Sequence, residues 1–449
     1  MPPTPPPAAP GGGQRFPDRR TDQQRVNERR EIQKQIDHLA RFPADGERQR
    51  KVMTRLASGR EARKLTPFAG LSSGRLPEVP ALALREFVVR ETDLARQDVQ
   101  ELIRATGLSA EPVAGLGGEV VRLVRRRPAA QFSDVEFRAV VEQIRTLPIM
   151  PNYLVPLGGW IKGEGGPENT AARPDWRPPN AKRIQVAVID TGLGRRTDQW
   201  LQGLTSPEID PLYPDPSSPT LGLSAGHGTF VAGIVQRVEP STDIRMYAAL
   251  DVDGVGDDVT LGEKIVQAAR DGAQIINLSL GTQTIDDQPP LGLEIGIRQA
   301  IEINKDILIV CAAGNFGDSR KVWPAAFSLL DFTKNNVVAV AGLNAQGEKP
   351  VPEWSTHGDF VQISTIAEGV VSTYVEGTED IVVEDPPDKF VINDFAIWTG
   401  TSFAAPQIVG AVASICLAEN VKPTEAVRSL TGGTPIPGYG VPIKILPGT

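Results

Sequence analysis

The stretch whose reading decides the fold is "WTGTSFAAPQIVGAVASICLA", residues 398–418. Beyond its first few residues it is small and apolar on every side. That is the composition of a helix wrapped in other layers, not of one lying on a surface. Pro406 falls in the expected first turn, where its missing N–H costs little. Ser402 stands at the mouth of the helix, behind Gly400 and Thr401. A hydroxyl at that place is either an N-cap or a reagent held at the positive end of the helix. The rest of the chain must supply layers to bury the helix and, if the serine is a reagent, partners for it.

From residue 184 onward the chain offers such layers. Short apolar runs, "RIQVAVID", "IRMYAAL", "AQIINLSL", "DILIVCAAG", "NVVAVAG" and "DFVQIST", alternate with helical patterns, "TFVAGIVQ", "VTLGEKIVQAARDG", "LEIGIRQAIEIN" and the helix after Ser402. The runs are apolar on both faces, as strands covered on both sides are. Alternating β and α predicts an α/β fold with a doubly wound, mostly parallel sheet, which builds its sites at the carboxyl ends of the strands. Three polar residues fall at such places. Asp190 ends "VAVIDTGLG", His227 heads "GHGTFVAGIV", and Ser402 heads the long helix. Each alone has a structural reading: a turn cap for Asp190, a hydrogen-bonded semi-buried histidine for His227, an N-cap for Ser402. Together they fill three complementary roles, a nucleophile, its base and the carboxylate that fixes the base.

Asp-Thr-Gly, Gly-His-Gly-Thr and Gly-Thr-Ser-x-Ala-x-Pro, in that order, resemble the subtilisin-like serine proteases, the subtilases, over residues 184–431. The resemblance implies a serine endopeptidase acting through an acyl-enzyme on Ser402, with His227 as base and Asp190 orienting it. It implies Asn315, in "AAGNFG", as the side-chain oxyanion donor beside the Ser402 backbone N–H. Ser279, Leu280 and Gly281, in "NLSLG", match the strand that pairs with substrate. Ala313 and Gly314 match the far wall and floor of the primary specificity pocket, and "WPAAF" the segment behind it. Phe403 stands where the family often has Met, and Gln407 where it often has His. Thr282 replaces a common second Gly, which is expected to narrow the cleft. The segment between "VVSTY" and "WTGTS" is longer than the family minimum and rich in acid. It reads as a surface hairpin. A sharper reading has Glu376, Glu379, Asp380, Glu384 and Asp385 steering basic substrate segments into the cleft.

Upstream, residues 1–21 are Pro/Gly-rich and predicted to be disordered. Residues 22–80 read as one or two amphipathic helices, broken near Pro43 and Gly46, and a linker. Residues 81–155 form a small α/β unit. Its strands are "LALREFVVRE" and "GGEVVRLVRRR"; its helices are "DLARQDVQELIRATG", closed by Gly107, and "SDVEFRAVVEQIRTL", capped by Ser133 with Glu136. In length, position and element order this unit resembles the propeptides of many subtilases, which assist folding and inhibit the enzyme. A permanently attached accessory domain is the alternative. Residues 156–183 read as a second linker, and 184–449 as the catalytic domain.

The net charge of −8 is unevenly spread. Residues 16–65 hold fourteen Lys/Arg against eight Asp/Glu, a net +6 that leaves about −14 for the rest. This segment reads as a solvated face or as a surface for a partner protein through residues 22–65. His38 is expected on an exposed helix and His357 on a loop. The chain lacks the overall basic excess of a nucleic-acid binder. No G-x-G-x-x-G follows the first strand of the large domain and no G-x-x-x-x-G-K-[ST] occurs, which argues against a dinucleotide or nucleotide enzyme. Cys311 and Cys416 sit in apolar runs and behave as small hydrophobes rather than as a disulfide framework. No metal cluster is expected from these cysteines and the three histidines. No cofactor is expected, and a structural calcium site cannot be read. The absence of a continuous apolar run of 18 residues and of an apolar signal region predicts a cytoplasmic protein without a membrane span. The principal alternative to a protease is a peptide-binding pseudoprotease whose cleft is blocked by residues 81–155 or by the acidic segment.

Overall fold

The computed structural model describes residues 18, 20–41, 46–65, 82–125, 134–157, 166–175, 177–195, 200–205, 208–214, 217–345, 351–380 and 386–446. Two helices come first, α1 (Asp22–Arg41) and α2 (Gly46–Ala62). A small unit follows: β1 (Leu82–Arg90), α3 (Gln97–Thr106), β2 (Ser109–Pro112), β3 (Val120–Val124), α4 (Asp134–Ile144) and β4 (Ile149–Pro156). The large domain then runs through β5 (Glu168–Asn169), β6 (Ile184–Asp190), α5 (His227–Val238), β7 (Thr242–Ala248), β8 (Val255–Asp257), α6 (Asp258–Arg270) and β9 (Ile275–Leu278). It continues with α7 (Leu291–Ile303), β10 (Leu308–Ala312), β11 (Val337–Leu343), β12 (Ile363–Ile366), β13 (Val370–Thr373), β14 (Gly377–Thr378) and β15 (Lys389–Phe390). It ends with β16 (Phe395–Trp398), α8 (Ala405–Glu419), α9 (Pro423–Thr431) and β17 (Val441–Pro442).

The predicted doubly wound sheet is present. Seven parallel strands lie in the order β17-β12-β11-β10-β9-β6-β7. Both faces are covered, which is why the strands are apolar throughout. Val186 and Val188 of β6 join the core with α5 and α8, while Ala187 and Ile189 join the core with α6 and α7. The chain winds from β6 to β7 on one side and resumes with β9 on the other, so the strand order reverses at β6. A crevice at the carboxyl ends is expected at such a reversal.

The small unit forms an antiparallel sheet, β2-β3-β1-β4, with the β-α-β-β-α-β order of a split βαβ fold. Gly107 closes α3 in the left-handed conformation at φ +67°, as its position predicts. The Ser133 cap lies outside the described residues. Alternation along β1 divides the sheet's two faces. Phe87 and Val89 pack on the unit's own helices, and Val88 packs with Val259, Val266, Leu291 and Ile295 of α6 and α7.

Four expectations change. Residues 166–183 are no free linker, because β5 pairs with β16 inside the large domain. His38 is buried, not exposed, since α1 lies against β16. There the Gln35 side chain donates to the carbonyls of Gly166 (2.7 Å) and Ile397 (3.1 Å). Part of the basic segment's charge is met inside the molecule: Arg55 pairs with Asp380, Arg60 with Asp251 and Arg63 with Asp253. The acidic segment is a hairpin, β14 with β15, in which Glu376 is exposed but two other acids are not free to steer. Glu379 is buried, and Asp380 is held by Arg55 at 2.8 Å. Glu384 and Asp385 lie outside the described residues.

Among the described residues one helix, Thr401–Glu419, is long and apolar enough to cross a membrane. It is 83% buried, as the core helix of a doubly wound domain would be. Both cysteines are free and buried. His357 lies on a loop, stacked on Tyr439.

Candidate active site

The carboxyl ends of three neighbouring strands deliver the site. Asp190 is the last residue of β6, Ser279 follows β9, and Asn315 lies three residues beyond β10. His227 opens α5, and Ser402 sits in a short 3₁₀ turn, Thr401–Phe403, that leads into α8. Ser402 is therefore no N-cap: α8 starts three residues later, with Ala404 at its cap and no side-chain capping bond.

Asp190 and His227 meet as the sequence requires. His227 Nδ1 lies 2.8 and 3.0 Å from the two oxygens of the Asp190 carboxylate. The Thr191 N–H also donates to Asp190 at 2.8 Å. Both side chains are buried, so their hydrogen bond is shielded from solvent and fixes the imidazole tautomer with its other nitrogen turned outward. The ring is packed by Trp398 and Phe403, each with its centroid 5.4 Å away. Phe403 thus fills the place of the usual Met as part of the wall behind His227, and it directly follows Ser402. Ser402 is tied to the substrate strand by a reciprocal pair. Its Oγ donates to the Ser279 carbonyl at 3.1 Å, and the Ser279 Oγ donates to the Ser402 carbonyl at 2.8 Å.

Asn315 is oriented by Thr401, a residue whose role the sequence reading did not identify. The Thr401 N–H (2.9 Å) and Oγ1 (2.8 Å) both donate to Asn315 Oδ1, which commits the oxygen and leaves the amide nitrogen as the outward donor. A Cβ on Gly400 would stand 3.4 Å from that nitrogen, so glycine keeps the space beside it open. Thr401 Oγ1 also accepts the Gly314 N–H at 3.1 Å. The signal for Thr401 is its place in the Gly-Thr-Ser triplet, directly before Ser402. Asn277, likewise missed, donates to Ser279 Oγ at 2.9 Å.

The residues assigned to substrate binding line one strip. Leu280 and Ala313 are fully buried in one cluster, and Gly314 turns with φ +103° between them and Asn315. Thr282 pairs through its backbone with Trp323, N–H to O and O to H–N at 2.8 Å each, which ties the strip to the "WPAAF" segment. Gln407 is buried, and its amide donates to the Ile366 and Phe403 carbonyls, a structural brace in place of the family's histidine.

This strip is occupied by the molecule itself. β4 runs antiparallel to β8, with Leu154 opposite Asp257, Val155 opposite Gly256 and Pro156 opposite Val255. The Leu157 N–H continues this ladder to the Gly254 carbonyl at 3.1 Å, and on the other side the Gly281 N–H donates to the Pro156 carbonyl at 3.0 Å. Val155 and Leu157 are buried with Leu250, Leu261 and Leu280. Side chains fasten the same seat. Arg122 bridges Glu86 (2.9 Å) and Asp257 (3.1 Å), Asn152 donates to both carboxylates, and Gly115 N–H donates to Glu263 of α6. Among the described residues no group of three or more His, Cys, Asp or Glu side chains gathers as a metal site.

Residues 181–434 match the "Subtilase family". The thermophilic serine proteinase of Bacillus sp. (strain AK1) is 30% identical over 296 residues, 61% of this chain and 65% of that protein. The thermostable alkaline protease of Halalkalibacterium halodurans is 30% identical over 241 residues, 51% of this chain and 56% of that protein. The match thus spans less than two thirds of either relative. Thermitase of Thermoactinomyces vulgaris is 29% identical over 257 residues, 55% of this chain and 79% of that protein. Among solved structures, fervidolysin from Fervidobacterium pennivorans superposes with a TM-score of 0.54 at 18% identity, covering 81% of this chain and 60% of that one. The epidermin leader peptide processing serine protease of Staphylococcus aureus superposes with a TM-score of 0.51 at 17% identity, covering 80% and 96%. These two likenesses speak for the fold alone. The family match spans more than half of the chain and contains all three motif blocks, so the chain belongs to the subtilase family.

Proposed function

We propose that the chain is a serine endopeptidase held latent by residues 82–157, which sit in its cleft as a product-like strand. The observation that carries this reading is the β4 register: the segment pairs by backbone with β8 on one edge and bonds through Pro156 to Gly281 on the other, as an extended peptide substrate does, and Gly281 lies two residues from Ser279, the residue bonded to Ser402. In the proposed reaction His227 Nε2 removes the Ser402 Oγ proton as Oγ attacks the scissile carbonyl carbon. The carbonyl oxygen takes up the electron pair and accepts from Asn315 Nδ2 and the Ser402 N–H. The His227 imidazolium, stabilised by Asp190, gives its proton to the leaving amine. Water then attacks the acyl-enzyme by the same route and restores Ser402. The apolar seats of Val155 and Leu157 favour extended peptides with Val- or Leu-sized side chains at those two positions.

Wild-type protein should be cut between residues 157 and 166 and should label at Ser402 with a fluorophosphonate. Ser402→Ala should stay whole and unlabelled, and Asn315→Ala should lose about 10²–10³ in kcat. Peptide hydrolysis that survives Ser402→Ala would overturn the assignment. A second reading, a peptide-binding pseudoprotease, draws on the segment of the small unit seated against Gly281. It predicts no cut and no labelling in the wild type.

A further inference from the structure

Asp210 belongs to no motif, yet it is 2% exposed and lies beside the dyad. The segment that carries it clasps the turn after Asp190. Leu193 N–H donates to the Glu208 carbonyl at 2.9 Å, and Asp210 N–H donates to the Leu193 carbonyl at 3.0 Å. The approach is close: a Cβ on Gly192, at φ +104°, would stand 2.7 Å from the Asp210 nitrogen. One carboxylate oxygen, Oδ1, accepts the Leu212 N–H at 2.9 Å, an ordinary turn bond. The other, Oδ2, accepts Thr191 Oγ1 at 2.8 Å and the Gly226 N–H at 2.9 Å. Thr191 follows Asp190 in the chain, and Gly226 precedes His227. Thr191 Oγ1 in turn accepts the N–H of Gly228, on the other side of His227, at 3.1 Å. One carboxylate thus binds the chain next to Asp190 directly and brackets His227 from both sides, once directly and once through a hydroxyl.

We propose that Asp210 is a positioning residue for the protease reaction: it sets the separation of Asp190 and His227 and places a second negative charge behind them. This rests on the triad reading above. A turn needs only Oδ1; the bonds of Oδ2 go solely to residues flanking the dyad. Burying a carboxylate is costly without donors, and three donors are provided at a point where a neutral side chain would cost less. Burial pushes the Asp210 carboxyl up to about 6, and the charge of Asp190 adds to the rise. Among the described residues, the other groups beside this pocket are His227 itself and Tyr374, whose hydroxyl donates to the Ala225 carbonyl. Two residues upstream on Asp210's own segment, Glu208 is paired with Lys264 of α6. When His227 becomes an imidazolium, the Asp210 charge stabilises it through the Asp190 side of the ring.

The test is the pH profile of kcat/KM for wild type and Asp210→Asn with one small peptide substrate. The expected result is a loss of about 10- to 100-fold in kcat with KM little changed. The acid limb should move to lower pH, because removing a neighbouring negative charge lowers the pKa of an imidazolium. The low-field proton resonance of the Asp190–His227 hydrogen bond should shift as well. An acid limb and resonance at wild-type positions would overturn the proposal even if the variant were less stable, since a purely structural carboxylate predicts that result. Should Asp210→Asn not fold, Thr191→Val decides. It keeps the side-chain shape and removes only the hydroxyl relay, and wild-type kcat in that variant overturns the proposal. Failure of the triad reading is seen separately, as a wild-type enzyme that neither labels with fluorophosphonate nor turns over substrate.

Discussion

Residues 82–157 and residues 22–62 both precede the subtilase domain and both lie against it, but different forces hold them. The small unit is joined mainly through main chain and apolar burial, with ion pairs from Arg122 to Asp257 and from Arg90 to Glu294 added at its flanks: β4 extends β8, and Val155 and Leu157 are buried beside Leu280. The helices are joined through side chains. Arg60 reaches Asp251 at 2.7 Å, Arg55 reaches Asp380 at 2.8 Å, and Gln35 caps two carbonyls. Main-chain pairing accepts many sequences. Arginine–carboxylate pairs at fixed points select one partner geometry. The first contact is the kind a protease can exchange for substrate; the second is the kind that keeps a segment in place. Asp251 and Asp253 directly precede β8, so the helices fasten the edge strand on which the small unit sits.

The sharpest way to break this contrast is to place a charge in the main-chain seat. Val155→Asp, in a Ser402→Ala background that prevents self-cleavage, buries an unpaired carboxylate in an apolar cluster. At a cost of about 4 kcal/mol, the β8 amides should exchange with solvent roughly 10³-fold faster. The amides of α2 should be unaffected. Exchange of β8 at the parent rate would mean that β4 is not what protects it.

Ion-pair docking gives a smaller effect with the opposite pattern. Arg60→Ala leaves Asp251, whose carboxyl burial already pushes up, without its closest cation. Exchange in α2 should quicken about 10- to 100-fold while the β4–β8 ladder holds. Raising salt to 1 M, where the Debye length falls to about 3 Å, should move α2 in the same direction by less. Equal opening of α2 and β4 under salt would erase the distinction.

What could be read in the sequence follows the same division. The Asp190–His227 pair and the turns that carry Ser402 and Asn315 were legible because polar residues there break apolar runs and glycines mark the turns that present them. The parallel sheet was legible because burial on both faces leaves strands apolar throughout. β4 was not, since Pro151, Asn152 and Pro156 interrupt any strand pattern. Proline is tolerated at edges and strand ends, and β4 is the strand by which the small sheet meets the large domain. Asp210 and the Arg60–Asp251 pair were illegible for another reason. Their partners lie 16 to 191 residues away, and a lone carboxylate in a loop reads as a turn former whatever it touches. The sequence showed an excess of positive charge in residues 16–65; only the fold showed that Arg55, Arg60 and Arg63 meet acids of the same chain.

The last test concerns pH, and it asks whether the main-chain seat carries an electrostatic cost. Asp258 opens α6 fully buried, and its carboxylate accepts N–H groups from Tyr153 of β4 (3.1 Å) and Gly292 (2.9 Å). Burial, reinforced by the adjacent Asp257, pushes its carboxyl up to about 7, while in the unfolded chain it titrates near 4. The folded state therefore holds this proton more tightly than the unfolded one. Stability from this group is complete below about pH 4 and is lost as pH rises through about 7. Other carboxylates impose their own slopes, so the informative quantity is a difference. Between pH 4 and 7, Tm of Ser402→Ala should fall relative to Tm of Ser402→Ala with Asp258→Asn, and above about pH 7.5 the gap should stay constant. Because Tyr153 supplies one of the two donors, the same window should loosen β4 more than α2 in hydrogen exchange. Parallel Tm curves would remove Asp258 as the source. A gap with no change in β4 exchange would assign the cost to the α6–α7 contact through Gly292 instead.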